Sequence, residues 1–221
     1  VIIKTRRIAA GFAFEGSKPM TAAEFWNNMA DRYAARPVGD EASYEATLAV
    51  TRSYLPPSSH VLEIGCGTGS TALRLMPDVG QFHGTDFADK MIAIAAAKTS
   101  GEHVTFSVSS ADAGPDGPFD MVIAFNLLHL LDDVPRTLAR VSAQLKPGGV
   151  FLSKSAVLGE GAYHLARIPI AVMRLLGKAP YVKFMNRATL GQMITDAGLI
   201  IEDARQLPEG SRNRFIVARK P

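Results

Sequence analysis

One cysteine is all that 221 residues contain. A lone thiol, Cys66, cannot close an intrachain disulfide, and nothing stands beside it at metal-ligand spacing. A disulfide framework and a zinc site are therefore disfavoured, no metal is expected, and a reducing, cytoplasmic setting fits best. Long apolar runs are missing too. The longest candidate, residues 168–176, contains Pro169 and Arg174 and falls well short of the roughly 18 to 20 residues needed to span a bilayer. There is no low-complexity tract and no internal repeat. A separate basic domain and an interleaved aromatic-basic platform are also lacking, so nucleic acid is not an expected partner.

What is present is a chain of 47% hydrophobic composition, long enough to bury a sizeable core in one domain. Its formal charge of +3 is unevenly laid out. Residues 1–19 hold four basic side chains against Glu15, residues 20–150 hold 9 basic and 15 acidic, and residues 151–221 hold 11 and 5. The two larger parts should meet different partners. Residues 1–19 read as a leader, a vector remnant or a start-site extension, with a targeting peptide as the alternative; the segment lacks the apolar core of a secretory signal. The domain proper is expected over 20–221. In "MTAAEF", Thr21 and Glu24 form a T-x-x-E capping box for a helix running toward Arg32.

Beyond that helix, short β-type runs at 61–64, 81–85, 104–108, 121–125 and 150–153 alternate with helical patterns at 68–75, 89–98 and 134–145. Strands separated by such helices make right-handed crossovers, hence a doubly wound α/β fold with a mostly parallel sheet and helices on both faces. Ligands of such sheets bind beyond the carboxyl ends of the strands, where strand order reverses.

The stretch "VLEIGCGTGS" falls at such an end. Its glycines, Gly65, Gly67 and Gly69, are spaced G-x-G-x-G, and position 70, where a dinucleotide turn has its third glycine, is Ser70. Asp86, at the end of the second strand, stands where a carboxylate can accept hydrogen bonds from both hydroxyls of a ribose. Glu63, inside the first strand, would repel a pyrophosphate and attract a cation. The turn suits an adenosine that carries a positive charge.

Together "VLEIGCGTGS", "GTDFADKMI", "FDMVIAFNLLHLLDD" and "LKPGGVFL" resemble the successive motifs of class I methyltransferases that use S-adenosylmethionine, over roughly residues 21–155. The resemblance implies a Rossmann-like, seven-stranded sheet whose last strand, over 214–218, runs antiparallel. It implies that Glu63 anchors the methionyl amino end, while Gly65, Cys66, Gly67 and Gly69 let the backbone approach the cofactor. Asp86 would hold the ribose, with Phe87 and Met91 around the adenine. Ser110, Ala111 and Asp112 would border the adenine edge; the family often has aspartate where Ser110 aligns, so Ser110 and Asp112 both stay open as the group that meets the adenine amino. Asn126 and Leu127 would contact the methionyl moiety, and Tyr33 would close over the cofactor from an N-terminal helix.

Plainer readings stand beside these. Cys66 is a small residue in a tight turn rather than a nucleophile, Met91 packs a core, and Tyr33 makes a helix contact. No catalytic side chain stands out; His129, His164 and Tyr33 are the candidates. An activated sulfonium methyl asks chiefly for positioning, and a base only if the acceptor must lose a proton. The acceptor, a small organic molecule, is expected to be selected by an insertion over 159–187. That insertion is either an amphipathic cap with its charged face solvated or a lid over an apolar or anionic acceptor. A basic amphipathic helix there could also touch a membrane surface, although Pro169 interrupts the pattern. The alternative to catalysis is a non-catalytic S-adenosylmethionine-binding module in a protein complex; a nicotinamide dehydrogenase is third, opposed by Glu63 and Ser70.

Overall fold

The computed structural model describes residues 20–56, 58–99 and 101–221; residues 1–19, on which the leader reading falls, lie outside them. Seven strands form one sheet: β1 His60–Ile64, β2 Gln81–Asp86, β3 Val104–Val108, β4 Phe119–Phe125, β5 Leu145–Ala156, β6 Ile200–Gln206 and β7 Asn213–Arg219, in the order β3-β2-β1-β4-β5-β7-β6. The pairs β1–β2, β1–β4, β2–β3 and β4–β5 are parallel, and β7 runs antiparallel to both β5 and β6. The reversed last strand is thus where the resemblance put it, one residue longer at each end.

Burial follows this order. The central strands β1 and β4 are covered on both faces, which explains their near-continuous apolar runs, whereas β3 and β6 at the edges are half exposed. On one face, Leu138 and Val141 of helix α5 (Val134–Gln144) and Leu190 and Ile194 of α7 (Arg187–Asp196) pack on Leu62, Val122 and Phe151. On the other, Leu48 of α2 (Glu41–Ser53) and Leu75 of α3 (Ser70–Leu75) cover Val61, Ile123 and Leu152.

Helix α1 (Ala22–Ala34) starts at the expected capping box: the Thr21 hydroxyl accepts from the Glu24 N–H at 3.2 Å, and the Glu24 carboxylate accepts from the Thr21 N–H at 2.7 Å. It lies on α4 (Asp89–Lys98), where Ala30 packs with Ala88 and Met91 and Lys90 pairs with Asp31 at 2.6 Å.

The insertion carries a short 3-10 turn, Gly161–Ala166, and helix α6 (Arg167–Leu175). Pro169 does not interrupt it. The residue falls in the first turn, where backbone N–H groups have no intrahelical acceptor, so its missing donor costs nothing. Nor is α6 a cap packed on the sheet, because none of its residues is buried.

Candidate functional site

Between β1 and β4 the winding of the sheet reverses, and the loops leaving β1, β2 and β4 meet there. The glycine turn after β1 is built on left-handed backbone, with φ of +67° at Gly65, +53° at Gly67 and +76° at Gly69. This conformation is why helix α3 begins at Ser70 rather than at 68. A side chain on Gly65 would also meet the Leu127 methyl carbon Cδ1 at 2.6 Å, so glycine is required there on two counts.

Asp86 ties this turn to the next helix. One of its carboxylate oxygens accepts from the Gly67 N–H at 3.0 Å and the other from the Ala88 N–H at 2.9 Å. The Cys66 N–H donates to the Thr85 carbonyl at 2.9 Å. Burial pushes the Asp86 carboxyl above its ordinary range, and the backbone N–H donors pull it back only in part.

Glu63 is buried in β1, and burial raises its carboxyl to about 8; a hydrogen bond from Thr71 opposes the shift, and the Asp86 charge adds to it. The Tyr44 hydroxyl donates in turn to Thr71 at 3.5 Å. The Glu63 oxygen Oε2 is buried without a partner. Neither Glu63 nor Asp86 has an ion pair among the described residues.

Two cavities open around the turn, and Tyr33, Gly65, Gly67, Phe125 and Asn126 line both. The larger, of about 330 Å³, runs past Glu63, Tyr44, Thr71 and Arg36. The narrower, of about 80 Å³, is mostly apolar, with Asp86 at its edge and Phe87, Met91, Leu127 and Trp26 among its walls. Trp26 meets Tyr33 edge to face at 6.1 Å, so α1 lays two aromatic rings over the crevice. Asn126 holds left-handed backbone at φ +54°, uncommon without glycine and costly unless its surroundings impose it. Its N–H is fixed by the Lys154 carbonyl at 2.7 Å.

The other expected residues lie differently. The loop after β3 is held to the site by the Ser109 N–H, which donates to the Asp86 carbonyl at 2.9 Å, yet Ser110, Ala111 and Asp112 line neither cavity. Asp112 is engaged by the Ser110 hydroxyl at 2.6 Å and by Arg136 at 2.7 Å, and Ala111 packs against the core. Cys66 is a buried free thiol whose ionisation burial pushes upward, which leaves it inert. His129 also lines neither cavity. Burial, and then the Arg212 charge, lower it to about 4, and its carbonyl serves to hold the Lys183 N–H at 2.7 Å. The His164 side chain lies outside what is described.

Several contributions were not anticipated, Trp26 and Thr71 among them. Tyr44 comes from α2, a helix whose buried face is built from hydroxyls: Thr47 and Thr51 donate back to the Ser43 and Thr47 carbonyls at 2.8 and 2.9 Å, leaving little apolar period to detect. Its cap, Asp40 accepting from the Ser43 N–H at 2.9 Å, was the available signal. Arg36 follows α1, and Pro180 and Tyr181 reach the narrower cavity from beyond α6.

A family model described as "Methyltransferase domain" matches residues 62–151. The chain is similar to the ubiquinone biosynthesis O-methyltransferase of Thiobacillus denitrificans, 29% identical over 151 residues that make up 65% of this chain and 65% of that one. It is also similar to the hybrid PKS-NRPS synthetase mpsA of Macrophomina phaseolina, 30% identical over 52% of this chain but only 3% of that protein. Both matches span less than two thirds of the relative's own length. Among solved structures, an S-adenosylmethionine dependent methyltransferase from Mesorhizobium loti shares the fold with a TM-score of 0.67 at 18% identity, over 79% of this chain and 98% of that one.

Proposed function

We propose that the chain is a class I S-adenosylmethionine-dependent methyltransferase, a reading its similarities support, and that it transfers the cofactor's methyl group to a small organic acceptor. The observation that carries this reading is Glu63: a buried carboxylate with an orphaned oxygen and no cation beside it, at the lip of a left-handed glycine turn. Such a group is costly to bury unless a positive ligand completes it, and the cofactor's methionyl end is cationic. The residues therefore fit the cofactor.

In this reading Asp86 accepts from the ribose hydroxyls with the lone pairs that Gly67 and Ala88 leave free, and Phe87 and Met91 flank the adenine. Ser110, Ala111 and Asp112 border that end from outside the cavity. Glu63 and the backbone from Gly65 to Gly69, Cys66 included, hold the methionyl end against Asn126 and Leu127. S-adenosylmethionine supplies a methyl group already activated on sulfur, so the protein's task is alignment and exclusion of water. The larger cleft, beyond Glu63 and beneath Tyr33, receives the acceptor; among the described residues Arg36 is the one cation on its lining, and it favours an acceptor with an anionic or polar head. A neutral, deeply lowered His129 away from the cleft makes a poor base, which supports catalysis by positioning.

The match to O-methyltransferases of ubiquinone biosynthesis supports a hydroxyl-bearing acceptor. No described helix is long and apolar enough to cross a membrane, and the unpaired Cys66 suits a cytoplasmic setting. Incubating the protein with methyl-labelled S-adenosylmethionine and panels of phenols, thiols, amines and lipids, and following product mass, tests the proposal. Binding of the cofactor without turnover on any panel would favour the non-catalytic module instead.

A further inference from the structure

We propose that the outward face of helix α6 docks on a bilayer with anionic headgroups. Ile168, Val172 and Leu175 fall at i, i+4 and i+7, one face of the helix, and are 76%, 50% and 88% exposed; Leu165 and Leu176 extend the stripe at either end. The cations stand to one side of this stripe and are themselves exposed. Arg167 and Arg174, also seven apart, lay their guanidinium groups over the rings of Phe184 and Tyr181, 5.2 and 5.0 Å from the ring centres. The helix and its two ends thus present five large aliphatic side chains together, a patch and not the scattered apolar residues of an ordinary surface.

The chemistry of the surroundings selects the occupant. Residues 161–195 contain no aspartate or glutamate, yet include Arg167, Arg174, Lys178, Lys183 and Arg187. Arg187 is paired with Glu160 at 2.7 Å and the Lys183 ammonium donates to the Asp132 carbonyl at 2.5 Å. Arg167, Arg174 and Lys178 have no ion pair among the described residues. An anionic bilayer meets both needs, taking the aliphatic stripe into the acyl boundary and setting phosphates beside the unpaired cations. A second copy would press the same three cations against their own kind.

The test is co-sedimentation of the full 221-residue chain with vesicles of phosphatidylcholine and phosphatidylglycerol, and with vesicles of phosphatidylcholine alone. Docking predicts binding to the mixed vesicles, weaker binding to the neutral ones and release by salt. Leu175→Glu should weaken binding by at least about tenfold, the worth of one apolar side chain withdrawn from the bilayer. Because Leu175 is almost fully exposed, this variant should keep the parent's circular dichroism and its affinity for S-adenosylmethionine. Equal sedimentation of parent and Leu175→Glu, no sedimentation of either, or no preference for the anionic vesicles would overturn the proposal. So would a concentration-dependent dimer in light scattering that Leu175→Glu abolishes, which would assign the face to self-association.

Discussion

Replacing Glu63 by Gln should stabilise the free protein at alkaline pH while weakening its hold on the cofactor. Burial raises the Glu63 carboxyl from 4.5 to about 8, so the folded chain binds its proton more tightly than the unfolded chain does. Stability from the neutral carboxyl is therefore complete below the unfolded value and is lost as pH rises toward and through the folded one. At about 1.4 kcal/mol for each pH decade in that window, roughly 3 kcal/mol is gone by pH 7 and about 5 kcal/mol above pH 8. Glutamine cannot ionise, so the variant escapes this loss. The histidines His60, His83 and His129, which burial lowers, are not coupled to Glu63 and cancel in the difference. Cofactor binding should move oppositely, because a hydrogen bond to a charged partner is worth about 1.5 to 3 kcal/mol, a loss of roughly tenfold or more in Kd. Urea unfolding of both proteins from about pH 5 to 9, with calorimetric titration at each pH, measures both effects. Parallel stability profiles, or equal affinity in the two proteins, would refute the reasoning.

Asp86→Asn leaves one backbone donor, at Gly67 or Ala88, facing an amide NH2; unfolding should show a loss of about 1 to 3 kcal/mol, and calorimetry a cofactor affinity lower by an order of magnitude. Gly65→Ala meets both left-handed backbone and the Leu127 side chain, and should cost about 1 to 3 kcal/mol in a denaturant titration. Relief of the second obstacle in the double variant Gly65→Ala, Leu127→Ala should recover only part of it. Thr21→Ala removes the hydroxyl half of the α1 capping box and should lower stability by about 1 kcal/mol, read as a fall in Tm.

Much of this site could be foreseen because its parts are local. Glu63, the glycine turn and Asp86 each lie at a strand end that a short apolar run announces, and the sheet order then brings those ends together. The capping box of α1 is legible for the same reason, since both partners lie within three residues. What escaped notice depends on distant partners. Lys154 is buried on β5, its ammonium held by the Thr47 hydroxyl at 2.9 Å and the Ser43 hydroxyl at 3.4 Å, over a hundred residues away; no spacing announces such a pairing. The arginines of α6 likewise meet rings outside the helix, at Phe184 and Tyr181. A periodic pattern reveals an apolar face but not which way it looks. The loop after β3 shows the converse: Asp112 has the right chemistry at nearly the right place, but Arg136 and Ser110 engage its carboxylate.

Calorimetric titration of the protein with S-adenosylmethionine, with its demethylated product and with NAD tests the central claim most directly. The account predicts saturable, one-to-one binding of the first two in the micromolar range, on the order of 8 kcal/mol, strongly weakened by Asp86→Ala, and no heat from NAD. Binding of NAD with none of S-adenosylmethionine would contradict it.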